Sequence, residues 1–122
     1  MTHSVLIVDD SRVSRMMIKA RMQAVHADWT YLEAATGEEA LQLVTAAPPD
    51  FLTMDMNMPG LNGFEAAEQV RAQAPGVRMV MLTANIQESS RSRADAMNLH
   101  FVQKPITDAS IRQVLDFFEA TP

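Results

Sequence analysis

Five short apolar runs recur along this chain, and each is followed by a longer stretch that starts or stops like a helix. Val5-Leu6-Ile7-Val8 is the first run. It shows no polar alternation, the pattern of a strand buried on both faces. Asp9-Asp10-Ser11 is a helix-start signal, and the stretch through Met16, Met17, Ile18, Ala20 and Met22 predicts a helix ending near His26-Ala27-Asp28. Thr30 to Ala34 has strand propensity. Thr36-Gly37-Glu38-Glu39 opens a second helix, which Pro48-Pro49 stops. Phe51 to Asp55 is a third strand, and Asn57 to Gly63 a turn-rich loop. A helix from about Phe64 to Ala74 stops at Pro75-Gly76, and Val77 to Thr83 is the fourth strand. A polar helix is expected from about Gln87 to Met97, with Asn98 as its C-cap. His100 to Gln103 is a fifth strand ended by Lys104-Pro105, and Thr107 or Asp108 caps a last helix through Phe118. Strand followed by helix, five times over, predicts an α/β fold: a doubly wound parallel sheet, helices on both faces, right-handed crossovers. Periodicity alone does not order the strands.

With 122 residues, the chain is the size of one domain. A net charge of −5 argues against nucleic-acid binding, which needs a basic patch for phosphates. The absence of cysteine excludes disulfides, thiolate zinc and a cysteine nucleophile. His3, His26 and His100 share no close spacing, so a histidine metal site is not expected. The N-terminal apolar run is four residues long and ends in two acids, unlike a signal peptide. No stretch reaches membrane-span length. A soluble, cytoplasmic protein with no membrane partner is the expectation.

The chemistry-bearing residues fall where the strands end. Strand one ends at Asp9-Asp10, strand three at Asp55, strand four at Thr83 and strand five at Lys104, whereas strand two ends in Ala34-Ala35. In open α/β sheets, sites form outside the carboxyl ends of the strands. Singly, each of these residues reads as a cap, a strand former or a solvated lysine. Together, three carboxylates at one edge repel unless a cation sits among them. Oxygen ligands with no imidazole suit Mg2+.

Val8-Asp9-Asp10-Ser11, Met54 through Gly63, Leu82-Thr83-Ala84 and Lys104-Pro105, in this order and spacing, closely resemble the receiver domain of bacterial two-component response regulators, of the small chemotaxis-regulator type. The resemblance covers essentially residues 1–122 and implies a five-stranded sheet of order 2-1-3-4-5 with five helices. It implies that Asp55 is the phosphoacceptor. Asp10 and Asp55, with the backbone carbonyl of Asn57, would be direct Mg2+ ligands, and Asp9 a ligand through water. Thr83 would receive a phosphoryl oxygen, Lys104 would pair with it, and Phe101 would be the switch aromatic. A cis peptide is expected before Pro105. The implied partners are a histidine kinase or phosphotransfer protein, a protein target of unknown identity and, as a further partner, a phosphatase. The implied state is a monomer or weak dimer. As in that family, the only chemistry catalysed would be the chain's own phosphorylation and dephosphorylation.

Other readings fit less well. A haloacid-dehalogenase-type phosphatase usually carries a second Asp two residues after its nucleophile, and here that position is Asn57. A flavodoxin-type carrier needs a phosphate-cradling loop after strand one, where this chain has Asp-Asp-Ser. A degenerate receiver is opposed by the intact acidic pair, Asp55, Thr83 and Lys104. No output domain is read in the sequence, so a stand-alone receiver that signals by protein binding is expected. The alternatives are a receiver fragment of a longer regulator, or a phosphate carrier or sink in a relay. The ten methionines read mainly as core filler, and Arg91 and Arg93 as a solvated face. On the last helix, advancing about 100° per residue groups Ile111, Leu115 and Phe118 as the buried stripe. Val114 falls at the border and Phe117 off it. A partner surface of Phe101, Val114 and Phe117 is therefore expected on the face built by the fourth helix, the fifth strand and the last helix, with Phe117 substantially exposed.

Overall fold

The computed structural model describes residues 3–56, 63–83 and 100–120. Five strands lie among the described residues: β1 (Ser4–Val8), β2 (Thr30–Ala34), β3 (Phe51–Asp55), β4 (Arg78–Thr83) and β5 (His100–Gln103). All pairings are parallel, in the order β2-β1-β3-β4-β5. Four helices lie among the described residues: α1 (Arg12–Val25), α2 (Gly37–Ala46), α3 (Gly63–Gln73) and α4 (Asp108–Glu119). The helix expected over 87–97, with Arg91 and Arg93, and the loop 57–62 fall outside the described residues.

Helix starts are set by short hydroxyl side chains. Ser11 accepts from the Ser14 N–H, Thr36 from Glu39 and Thr107 from Ser110. Each such cap is worth about 1 kcal/mol. Thr107 rather than Asp108 is the cap of α4, and Ser110 reciprocates by accepting from the Thr107 N–H. At the other end of α4, the Arg78 guanidinium donates to the carbonyls of Phe117 and Ala120, where the helix is electronegative.

Alternation along each strand divides the core in two. Leu6, Val8, Leu52, Met54, Met79 and Met81 pack under α2 and α3. Val5, Ile7, Phe51, Val80 and Leu82 pack under α1 and α4, against Ile18, Met22, Ile111, Leu115 and Phe118. The expected α4 stripe is thus buried. Val114 is a correction: it has no exposed surface. α4 packs against both the sheet and α1, so it buries a wider arc than a helix with one partner.

The expected exposure of Phe117 is also corrected. Its ring is partly buried against the α1–α4 core and stacks on His100, with centroids 4.7 Å apart and planes 5° apart. Among the described residues, the exposed large apolar ones are Val13, Met16, Met17, Val25 and Leu32, four of them on α1. Apolar surface therefore faces solvent on α1 rather than on α4.

Tyr31, the single tyrosine, donates its hydroxyl to the His26 carbonyl at 2.8 Å and so ties β2 to the end of α1. Burial, and secondarily the nearby Asp28 carboxylate, push its pKa from 10.0 up to about 12. The folded state therefore holds this proton where the unfolded chain has lost it. Tyr31's contribution to stability is complete below pH 10.0 and is lost as pH rises towards about 12. Phenolate absorbance of the folded protein should accordingly rise with a midpoint near 12. A midpoint near 10 would show an open phenol.

Candidate functional site at the carboxyl edge of the sheet

The parallel register brings the ends of four strands to one edge. Val8 pairs with Met54, Asp55 with Leu82, and Thr83 with Gln103. The residues just at or past these ends are Asp9, Asp55, Thr83 and Lys104. Carboxylate oxygens of Asp9, Asp10 and Asp55 all lie within 4.8 Å of one another. Asp9 and Asp55 are buried at 1% and 5% exposure, whereas Asp10 is exposed. β2 contributes no side chain to the edge, but the Ala34 carbonyl accepts from the Asp9 N–H at 3.1 Å.

Burying carboxylates is costly unless they are paired and hydrogen-bonded. Asp9 meets that demand twice: Oδ1 accepts from the Ser11 N–H at 2.8 Å, and Oδ2 from Lys104 Nζ at 3.1 Å. Lys104 Nζ also lies 3.7 Å from Asp55 Oδ1. A cis peptide joins Lys104 to Pro105, and the Lys104 N–H donates to the Thr83 carbonyl at 2.7 Å. The lysine thus lies closer to Asp9 than to Asp55 and within reach of both.

Three carboxylates against one ammonium leave two net negative charges, the complement of one divalent cation. Among the described residues the donors are all carboxylate oxygens, which suits a hard, oxygen-seeking ion. Asn57, expected to add a carbonyl, lies outside the described residues.

Thr83 is buried at the end of β4, on the same sheet face as Met81 by alternation. Phe101 pairs with Met81 across β4–β5 and packs, partly buried, on that same face. Its ring meets Phe64 edge-on, with centroids 6.1 Å apart. The hydroxyl and the aromatic thus share a face on neighbouring strands.

Gly63 carries a role that the sequence reading passed over. A Cβ there would lie 2.7 Å from the Asp55 carbonyl oxygen and 2.8 Å from the Met56 Cα. The start of α3 therefore closes directly on the backbone that carries Asp55. The signal was present only as a glycine closing the turn-rich loop. A separate cavity of about 450 Å³, lined by His3, Pro49, Asp50, Phe51, Val77 and Arg78 among others, contains none of the carboxyl-edge residues.

The acidic cluster carries a stability consequence. Two unit charges at the 4.8 Å limit of the cluster repel by about 1 kcal/mol in water. Lys104 offsets Asp9 and Asp55 but makes no ion pair with Asp10. In EDTA, Asp10→Ala should therefore raise the melting temperature, by about 3–5 °C for a gain near 1 kcal/mol. A lower melting temperature by calorimetry would show that Asp10 is stabilised in place.

The profile of the response regulator receiver domain matches residues 5–116. Protein-glutamate methylesterase/protein-glutamine glutaminase 1 of Geobacter sulfurreducens is 33% identical over 112 residues, covering 89% of this chain and 31% of that protein. The autoinducer 1 sensor kinase/phosphatase of Vibrio harveyi is 31% identical over 92% of this chain and 13% of that protein. The chain thus spans about a third or less of these curated relatives. Among solved structures, a chemotaxis response regulator of Vibrio cholerae superposes with a TM-score of 0.84 at 29% identity, covering 97% of this chain and 99% of that one. No helix among the described residues is long and apolar enough to cross a membrane.

Proposed function

Because this chain belongs to the response regulator receiver domain family, we propose that it accepts a phosphoryl group on Asp55 and passes the signal on by binding a protein target. The observation that carries this reading is the convergence of Asp9, Asp10 and Asp55 within 4.8 Å, with Lys104 Nζ 3.7 Å from Asp55. The donor is the phosphohistidine of a histidine kinase or phosphotransfer protein.

The Asp55 carboxylate attacks phosphorus in line. The new P–O bond forms as the P–N bond to imidazole breaks, and the imidazole leaves with the electron pair. Asp10 and Asp55, with the Asn57 carbonyl, would hold Mg2+, and Asp9 would support it through water. When bound there, the metal supplies charge neutralisation for the phosphoryl oxygens. Lys104 pairs with one of those oxygens and the Thr83 hydroxyl donates to another. Drawing Thr83 towards the phosphoryl group frees volume on the face it shares with Phe101. The ring, half-buried beforehand, turns further in, and a local charge event becomes a change in surface shape. Residues 1–122 act as one receiver unit in this scheme. The methylesterase and kinase activities in the relatives' names belong to those longer proteins.

Incubation with a small acyl phosphate donor tests the reading. Phosphorylation should require Mg2+ and fall to background in EDTA. Equal labelling with and without the metal would overturn it.

A further inference from the structure

The acidic loop is held from outside by a residue that bears no ligand atom. Arg15 sits in the first turns of α1, and its side chain is only 14% exposed. It folds back over the helix start, and its NH1 donates to the backbone carbonyl of Asp9 at 2.6 Å. Its Nε donates to Glu33 Oε1, on β2, at 2.9 Å. Lys19 Nζ lies 3.9 Å from the other Glu33 oxygen. A guanidinium can serve two acceptors at once because its donors are fixed in one plane.

The carbonyl that Arg15 grips belongs to the peptide joining Asp9 to Asp10. Asp9 is already fixed through its N–H, Oδ1 and Oδ2. Asp10 is exposed, so its aim depends on the orientation of that peptide plane. We propose that Arg15, itself oriented by Glu33, is a positioning residue that sets the Mg2+ affinity of the site by fixing the Asp9–Asp10 peptide. This rests on the Mg2+ reading above.

The sign of the effect separates positioning from electrostatics. Arg15 is a positive charge near a cation site, so on charge alone its removal should tighten Mg2+ binding. Positioning requires the opposite. Outer contacts of this kind typically change metal affinity about 10- to 100-fold.

Calorimetric titration of the folded proteins with Mg2+, well below their melting temperatures, tests this. Arg15→Met keeps the aliphatic stem and removes every donor. It should weaken binding about tenfold or more. Arg15→Lys keeps the charge but has no planar fork, and should recover only part of the loss. Glu33→Gln leaves Arg15 in place but loosens its orientation, and should fall between wild type and Arg15→Met. If Arg15→Met does not fold, Arg15→Lys serves instead, since its charge is kept and a loss of affinity there is not electrostatic. A residue that only fastened α1 to the sheet would shift the melting temperature and leave the dissociation constant unchanged. Unchanged or tighter binding in Arg15→Met, or wild-type affinity in Arg15→Lys where Arg15→Met is unfolded, overturns the proposal. Wild-type protein that takes no Mg2+ overturns the metal reading itself, and this inference with it.

Discussion

Asp55→Asn protein is expected to take up no phosphoryl group from a Mg2+-dependent small donor, with labelling at background while the wild type labels fully. The substitution keeps the shape of a side chain that is 5% exposed, so the β3 end should stay in place. It replaces an anionic nucleophile with a neutral amide and removes one of three mutually repelling charges. The neighbouring acids are poor substitutes. Asp9 has both oxygens engaged, by Ser11 and Lys104, and Asp10 lies at the exposed side of the cluster. Wild-type labelling of Asp55→Asn would place the acceptor elsewhere.

The second large effect is expected at Gly63. An alanine Cβ would press on the Asp55 carbonyl and the Met56 Cα at 2.7 and 2.8 Å. Both obstacles are backbone, so no rotamer change relieves them. α3 can retreat only by uncovering Phe64, Ala66, Ala67 and Val70, all buried. Overpacking of this kind costs about 1–3 kcal/mol, which lowers the melting temperature by about 4–12 °C. The displaced Asp55 backbone should also slow phosphorylation. Gly76 is the control: a Cβ there meets nothing within 4 Å, and Gly76→Ala should stay within about 0.5 kcal/mol of wild type. Equal melting curves for Gly63→Ala and wild type would show that α3 does not need its close approach.

Much of the fold was legible because its elements are short and sharply bounded. β2, β3 and β5 span the residues expected for them, Thr30–Ala34, Phe51–Asp55 and His100–Gln103. Boundary shifts were small: α1 ends at Val25, ahead of the expected His26 to Asp28, α3 starts one residue early, at Gly63, and β4 one residue late, at Arg78. The strand order came from resemblance, since parallel strands carry no pairing signal in their periodicity. The meeting of Asp9, Asp10, Asp55 and Lys104 was legible because a parallel sheet puts every strand's carboxyl end at one edge.

What failed depended on tertiary packing. A helical wheel gives each α4 residue one angle but not the number of neighbours around the helix. Val114 is buried because α1 and the sheet both flank α4, and Phe117 is partly covered because His100 of β5 stacks on it. The Gly63 approach and the Arg15–Glu33 link are likewise contacts between distant segments, with no local periodicity to announce them.

The most direct measurement is to locate the phosphoryl group itself. The protein is incubated with Mg2+ and a small acyl phosphate donor, any aspartyl phosphate is reduced with borohydride, and the product is mapped by peptide mass spectrometry. Conversion to homoserine at position 55 alone is the expected result. Reduction at another aspartate, or none at all in a protein that binds Mg2+, would contradict phosphoryl acceptance by Asp55.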